Sequence, residues 1–127
     1  MTDVREVTTS AFSHLLGSEL TRLDNGEAEV RLALKPELRN RAGKLHGGAI
    51  FSLVDIAMGL ACSSAHGFDR HSVTVECKIN YMRAIDAGEV HCLARVIHFG
   101  SRTLVVEAEV RQDAALVARA QGTFMLV

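Results

Sequence analysis

The spacing of hydrophobic positions changes along the chain, and each change marks a new element. Leucine and phenylalanine recur at helical spacing over residues 8–23, which predicts a short N-terminal helix with Thr9 or Ser10 as its cap. A turn signal follows at residues 24–26. Apolar and polar residues then alternate over residues 28–34, which predicts a strand with one buried face.

The second half of the chain contains one long apolar run followed by period-two patterns. Residues 49–65 are apolar nearly all round and too long for a strand, so they predict a helix enclosed by other elements and opened by Gly47 and Gly48. Alternating patterns then predict strands at residues 73–81, 89–99, 103–111 and 116–126, with a bend in the last at Gly122. Short loops join these four strands, which favours antiparallel pairing among them.

These elements predict an α+β fold in one domain spanning residues 1–127. No linker, repeat or low-complexity segment divides the chain. One very apolar helix and a five-stranded antiparallel sheet must bury each other, and the simplest packing wraps the curved sheet around the helix. The edge strands and the outer face of that sheet then need cover, so an oligomer is expected.

Composition narrows the functional classes. The chain has 127 residues, 48% of them hydrophobic and 23% charged, and its net charge of −1 offers no long-range field for nucleic acid or an anionic membrane. Three separate cysteines, Cys62, Cys77 and Cys92, form neither a disulfide framework nor a zinc motif, which indicates free thiols in a reducing compartment. The first residues lack a signal-peptide pattern, and Asp55 interrupts the apolar run. A cytoplasmic protein without a membrane span is therefore expected.

Two glycines stand where the apolar helix begins. Backbone N–H groups at a helix start have no partner within the helix and lie at the positive end of its dipole. Gly47 and Gly48 therefore offer an oxyanion hole for a carbonyl that gains negative charge. The alternative interpretation is a flexible helix start where the chain packs tightly.

A single carboxylate, Asp55, lies in the middle of the apolar helix. No basic residue lies one turn away from it, and a buried carboxylate is costly unless it is paired or functional. The alternatives are a carboxylate that faces solvent or one that accepts a structural hydrogen bond. Seven residues separate it from Gly48, which is about 10 Å along a helix. One chain cannot bring both groups to the same carbonyl, so if both act, Asp55 comes from a second subunit.

The same segment carries a spaced motif. Asn40 stands six residues before His46, Gly47 and Gly48 follow directly, and Asp55 stands nine residues after the histidine. This arrangement resembles the HGG-type hot-dog-fold acyl-CoA thioesterases, closest to the phenylacetic-acid-degradation (PaaI-like) group. The resemblance spans roughly residues 10–127, including residues 74–82, 100–103 and the last strand. Relatives often carry a proline where this chain has Ala84, which is a difference in a loop and not in the motif.

The resemblance implies a role for each matching residue. The Gly47 N–H is the main oxyanion donor, and Asp55 is the general base for water or the nucleophile that forms an anhydride. Thr74 holds the attacking water, while Asn40 and His46 orient the thioester and the loop around it. The expected substrate-binding residues are Gly48, Phe51, Met58, Arg83 and Arg102. The two arginines suit nucleotide phosphates, although both also suit a solvated loop.

The resemblance also implies partners. The acyl-CoA lies in a channel between the subunits of a homodimer, and two such dimers associate. Because CoA is part of the substrate, no cofactor or metal is expected. The first expected acyl group is aromatic, such as phenylacetyl or hydroxyphenylacetyl, and medium-chain groups come next.

Two alternative functions remain open. A hot-dog enoyl-CoA hydratase or dehydratase needs a catalytic histidine, here His46, paired with a carboxylate of the partner chain. A non-catalytic module that binds acyl-CoA would use the same pocket, although binding alone gains nothing from a costly buried carboxylate. Other chemistries have no support, since the remaining histidines lack metal-ligand spacing and no nucleophile elbow or phosphate-binding glycine loop occurs.

Overall fold

The computed structural model describes residues 9–127. The elements in this part of the chain are α1 (Ala11–Leu16), β1 (Glu19–Asp24), β2 (Glu27–Ala33), α2 (Gly47–His66), β3 (Ser72–Tyr81), β4 (Glu89–Phe99), β5 (Thr103–Gln112) and β6 (Ala115–Leu126), with a 3-10 turn at Pro36–Leu38. The strands form one antiparallel sheet in the order β1-β2-β4-β5-β6-β3. The sheet curves around α2, which is the hot-dog architecture that the resemblance implies.

The long helix α2 forms the centre of the core. Its buried residues are Ala49, Ile50, Leu53, Val54, Ala57, Met58, Ala61, Cys62 and His66. They pack on the inward side chains of the sheet, such as Val30, Val90 and Val106. The helix is long and apolar enough to span a membrane by composition, but burial against the sheet accounts for that composition. Its other face is only partly covered, so α2 is not enclosed all round as the pattern predicted.

The predicted helix over residues 8–23 is wrong beyond Leu16, and the sheet consequently has six strands instead of five. Gly17 ends α1 with a φ of +87°, a backbone conformation that favours glycine. Leu20 and Leu23, three residues apart, mimic helical spacing. A bulge in β1 between Leu20 and Arg22 places both leucines against the core although they belong to a strand. Ser10, one of the two predicted candidates, is the N-cap residue of α1. Thr8, where the predicted helix begins, lies outside the described residues.

The antiparallel pairing predicted among the last four strands is confirmed, although β3 does not pair with β4, its neighbour in the chain. The third strand pairs with β6 at the far edge of the sheet, so residues 82–88 run back from that edge to β4. The edge strand exposes apolar side chains, including Val73, Val75 and Tyr81. Such an edge offers unpaired backbone groups to another strand.

Candidate functional site

The two glycines of the motif differ in their hydrogen bonding at the start of α2. His46 is the N-cap residue, and its ring Nδ1 accepts the N–H of Gly48 at 2.7 Å. The His46 carbonyl accepts the N–H groups of Ala49 and Ile50. Within residues 9–127 the N–H of Gly47 donates no hydrogen bond. Gly47 therefore carries the open donor, whereas His46 occupies the N–H of Gly48, the other glycine expected to contact substrate.

Glycine suits positions 47 and 48 for different reasons. A Cβ atom on Gly48 would lie 2.9 Å from Nδ1 of His46, so a side chain there would displace the capping ring. A Cβ atom on Gly47 would lie 3.5 Å from the ring of Tyr81, which is ordinary contact. Packing within the chain therefore demands glycine at position 48 but not at position 47, where glycine keeps the open N–H accessible.

Asn40 shapes the loop that leads into this helix. Its Oδ1 accepts the backbone N–H groups of Ala42 and Lys44, both at 3.0 Å. The loop is also tied to its surroundings by hydrogen bonds from the His46 N–H to the Leu38 carbonyl and from the Leu45 N–H to the Ile85 carbonyl. Because Oδ1 is occupied by the loop, the side-chain NH2 of Asn40 is the group left to donate to a ligand.

Asp55 lies on the partly covered face of α2. Its side chain is partly exposed, and Thr74 on β3 donates a hydrogen bond to its Oδ1 at 2.7 Å. Of the alternatives left open for this carboxylate, partial exposure and a structural hydrogen bond both hold in the single chain. The Thr74 hydroxyl donates to the carboxylate and retains lone pairs that can accept from water.

A bulge in β3 directs Thr74 toward the helix. Strict alternation would place Val73 and Val75 inward, on the side of Cys77, and Thr74 outward. The pairing with β6 instead shifts register between Thr74 and Glu76, and Val75 is 56% exposed. Gly122 on β6 accommodates this bulge, since a Cβ atom there would lie 2.9 Å from the Glu76 carbonyl oxygen. What distinguishes Gly122, where the sequence predicted a bend, is thus the close approach of β3, whose bulge directs the Thr74 hydroxyl toward α2.

The site residues form two separate groups in one chain. Gly47 and Tyr81 meet at one end of β3, where the Tyr81 hydroxyl donates to the Gly47 carbonyl at 2.9 Å. Asp55 and Thr74 meet near the other end. Seven residues of strand, about 23 Å, separate Thr74 from Tyr81. A single chain therefore holds an oxyanion donor and a carboxylate that do not face the same point.

A cleft of about 340 Å³ opens beside the first group. Its lining residues are Asn40, Lys44, Leu45, Gly47, Ile50, Tyr81, Met82, Arg83 and Ala84. Three predicted site residues are among them. A larger groove of about 440 Å³ lies on the outer face of the sheet, where Glu29, His91 and Arg111 belong to surface ion pairs. It contains no predicted site residue, so the smaller cleft is the candidate site.

The remaining predicted substrate contacts lie elsewhere. Met58 is fully buried, with its Sδ 4.0 Å from the Sγ of Cys77, so it is a core residue and does not line an open surface. Phe51 is partly exposed on α2. Arg102 is exposed in the turn between β4 and β5, and its carbonyl accepts the N–H of Leu126. Leu126 pairs with Ser72 at the start of β3, so Arg102 lies at the end of β3 opposite the cleft.

The thiols do not belong to the site. Cys62 and Cys92 are fully buried, and burial raises the pKa of Cys62 to about 12. Burial also raises the pKa of Cys77, with smaller contributions from Asp55 and Glu76. These thiols remain protonated near neutral pH and are poor nucleophiles. Within residues 9–127 no three His, Cys, Asp or Glu side chains are placed to hold a metal ion.

Sequence reasoning missed the contact between Tyr81 and Gly47. The motif ends at Asp55, and the strand pattern identifies Tyr81 only as the last inward position of β3. Nothing in the spacing along the chain indicates that this hydroxyl meets the helix start 34 residues earlier.

Comparisons with known proteins identify relatives of the whole fold. Residues 42–118 match the family described as Thioesterase superfamily. The chain is similar to the acyl-coenzyme A thioesterase PaaI of Escherichia coli, with 32% identity over 114 residues, which is 88% of this chain and 79% of that one.

Two solved structures superpose closely. The conserved protein PA5202 from Pseudomonas aeruginosa has a TM-score of 0.97 and 61% identity, and the match covers 98% of this chain and 100% of that one. The E. coli PaaI protein from the phenylacetic acid degradation operon has a TM-score of 0.87 and 30% identity, and the match covers 94% of this chain and 86% of that one.

Proposed function

This chain belongs to the thioesterase superfamily, and from that premise we propose that it hydrolyses acyl-CoA thioesters at a site shared by two copies. The observation that carries the proposal is the open N–H of Gly47 at the start of α2, on the wall of the cleft. A thioester carbonyl placed there gains negative charge during attack. A preorganised backbone donor at the positive end of a helix dipole stabilises that charge.

The reaction needs little further machinery. Attack on the carbonyl carbon breaks the C–S bond and releases CoA as a thiolate, a good leaving group because a thiol pKa lies near 8.5. With Asp55 as general base, the carboxylate takes a proton from water while the water oxygen bonds to the carbon. With Asp55 as nucleophile, its oxygen forms an acid anhydride that water then cleaves. In both routes the hydrogen bond from Thr74 orients the carboxylate.

A site shared between two copies follows from the separation of the two groups of site residues within one chain. Antiparallel pairing of two β3 edges places the Thr74 end of one strand beside the Tyr81 end of the other. Asp55 of one copy then approaches Gly47 of the second. The same pairing covers the exposed Val73, Val75 and Tyr81 and satisfies the backbone groups of the edge. We therefore infer a homodimer, with a further pairing of dimers through another surface.

The cleft suggests how the substrate lies. Arg83 stands on its rim, and Asn40 presents a side-chain NH2 beside it. The pairing of β3 edges also brings Arg102 of the second copy toward this end. Guanidinium groups pair well with phosphate, so both arginines fit the nucleotide part of CoA. The acyl group runs past Phe51 and Asp55 along α2. Similarity to PaaI favours an aromatic acyl group, with medium-chain groups next.

The hydrogen bond of the His46 cap disfavours the alternative function, a hydratase or dehydratase. A hydratase needs His46 as an acid or base oriented by a carboxylate. Here Nδ1 is already engaged by the Gly48 N–H, which is a positioning contact and leaves no place on that nitrogen for a carboxylate.

Thiol release from aromatic and aliphatic acyl-CoAs tests the proposal. We expect Asp55→Asn to lower kcat by about 100-fold or more, because the amide can neither accept the proton nor attack. Asp24→Asn, at the exposed end of β1, is the matched control and should keep the wild-type rate. Equal rates for wild type and Asp55→Asn would refute this mechanism. Binding of CoA without turnover by the wild type would favour the non-catalytic module.

A further inference from the structure

The hydroxyl of Tyr81 has no role in the mechanism described so far. It donates to the Gly47 carbonyl at 2.9 Å, and the ring lies 3.5 Å from the position of a Cβ on Gly47. Tyr81 is the last residue of β3 and belongs to the lining of the cleft. Its pKa is raised, mainly by burial and then by Cys77, so the phenol stays protonated and donates.

The Gly47 carbonyl and the Gly48 N–H belong to one planar peptide unit. The Tyr81 hydroxyl donates to the oxygen of that unit, and its N–H in turn donates to Nδ1 of His46 at 2.7 Å. Two hydrogen bonds thus run in series from the edge strand to the capping ring. Hydrogen bonds in series polarise and strengthen one another. We call this series the Tyr81–His46 relay.

We propose that Tyr81 is a positioning residue that holds His46 through the relay. An Nδ1 atom that accepts a hydrogen bond places the ring proton on Nε2. The relay therefore fixes both the tautomer and the orientation of an exposed imidazole, which presents an Nε2–H donor. It also holds the Gly47–Gly48 peptide in place, which keeps the neighbouring Gly47 N–H directed outward. The catalytic consequence rests on the proposed function, whereas the relay itself does not.

Ser52 provides a matched comparison one peptide further along. Its hydroxyl donates to the Gly48 carbonyl at 2.8 Å. The N–H of that next peptide, on Ala49, donates to the His46 backbone carbonyl and not to its ring. Removal of the Ser52 hydroxyl therefore deletes the same kind of bond at the same helix start without touching the relay.

Tyr81→Phe tests the inference, because it removes one oxygen and keeps the ring against Gly47. We expect kcat to fall about 2- to 12-fold, as for the loss of one neutral hydrogen bond, with KM nearly unchanged and the melting temperature lowered by no more than a few degrees. In protein labelled with 15N-histidine, the Nδ1 resonance of His46 should move toward that of an acceptor without a hydrogen bond. Ser52→Ala should leave that resonance in place.

The possible outcomes distinguish three claims: the relay, the positioning role of Tyr81 and the proposed function. Unchanged His46 resonances in Tyr81→Phe would overturn the relay. A shifted resonance with unchanged kcat would overturn the positioning role. A higher KM with unchanged kcat would also overturn it, because Tyr81 would then bind substrate. If the wild type cleaves no acyl-CoA but Tyr81→Phe still shifts the His46 resonance, the result would support the relay and refute the proposed function.

Discussion

At the scale of single residues, the site depends on which backbone group a side chain occupies. The motif presents Gly47 and Gly48 as a pair of equivalent donors. The structure distinguishes them, because the ring of His46 caps one and leaves the other open. Histidine is an uncommon N-cap residue, and here the cap selects the donor that faces the cleft.

Alanine at the two positions should therefore have opposite effects. Gly48→Ala pushes a methyl group against Nδ1 of His46, breaks the cap and should lower the free energy of unfolding by about 1 kcal/mol. Gly47→Ala makes ordinary contact with Tyr81 and gains helix propensity, so stability should stay level or rise by up to about 1 kcal/mol. Urea unfolding measures both, and equal losses would contradict this distinction.

At the scale of elements, an irregular strand decides where the hydroxyl beside Asp55 points. The bulge at Thr74–Glu76 reverses the alternation of β3, and β6 must approach closely at Gly122 to allow it. A regular strand would turn Thr74 to solvent and leave Asp55 without its hydrogen bond. Bulges near active sites commonly re-aim a side chain in this way.

Gly122→Ala tests whether the bulge in β3 requires glycine at the facing position of β6. The added methyl group meets the Glu76 carbonyl and the Met58 side chain, so β3 must shift outward. We expect a loss of about 1–3 kcal/mol in the free energy of unfolding, as for other overpacked positions. We also expect kcat to fall, because Thr74 moves with the strand.

Gly59→Ala on α2 is the control for that change. Its methyl group meets only the Phe124 ring at 3.7 Å, and alanine in a helix interior should add about 0.5–1 kcal/mol. Stabilisation by both substitutions would show that Gly122 is not under steric demand.

At the scale of the whole molecule, the proposed mechanism makes the single chain an incomplete catalyst. Asp55 and the open N–H of Gly47 both belong to α2 and lie beside opposite ends of the edge strand β3. The edge exposes apolar side chains that a second β3 would cover. An isologous contact about a two-fold axis exchanges the two ends and completes two equal sites.

Mixed dimers test that arrangement. Gly47→Pro removes the open N–H, yet proline suits the first helical position and the His46 ψ of 136° suits a residue before proline. Gly47→Pro and Asp55→Asn should each be inactive alone. Co-expressed, they should recover about a quarter of the wild-type activity, because half of the dimers are mixed and each has one intact site.

One control completes that experiment. Gly47→Ala keeps the N–H, although its methyl group narrows access to it, and alone it should retain more activity than Gly47→Pro. If Gly47 and Asp55 of the same chain acted together, mixed dimers would recover nothing, which would refute the shared site.

Much of the fold was predictable because its signals are local. The apolar run predicts α2 within two residues at its start and one at its end, and alternation predicts β4 with both of its ends. The motif from Asn40 to Asp55 identifies candidate chemistry because the residue types and their spacing carry it. The main error concerns Leu20 and Leu23, where a bulged strand mimics a helical spacing.

Patterns along the chain are enough to predict the elements with regular periods, to identify the motif residues and to show that one helix cannot bring Gly48 and Asp55 together. The packed structure was needed to show that β3 lies at the edge of the sheet, that its bulge directs Thr74 to Asp55, and that Tyr81 and His46 both hydrogen-bond to the Gly47–Gly48 peptide. The physical reason is the range of the interactions. Periodicity and capping act between residues a few positions apart, whereas register, bulges and these contacts join residues far apart in the chain and arise only when the elements pack.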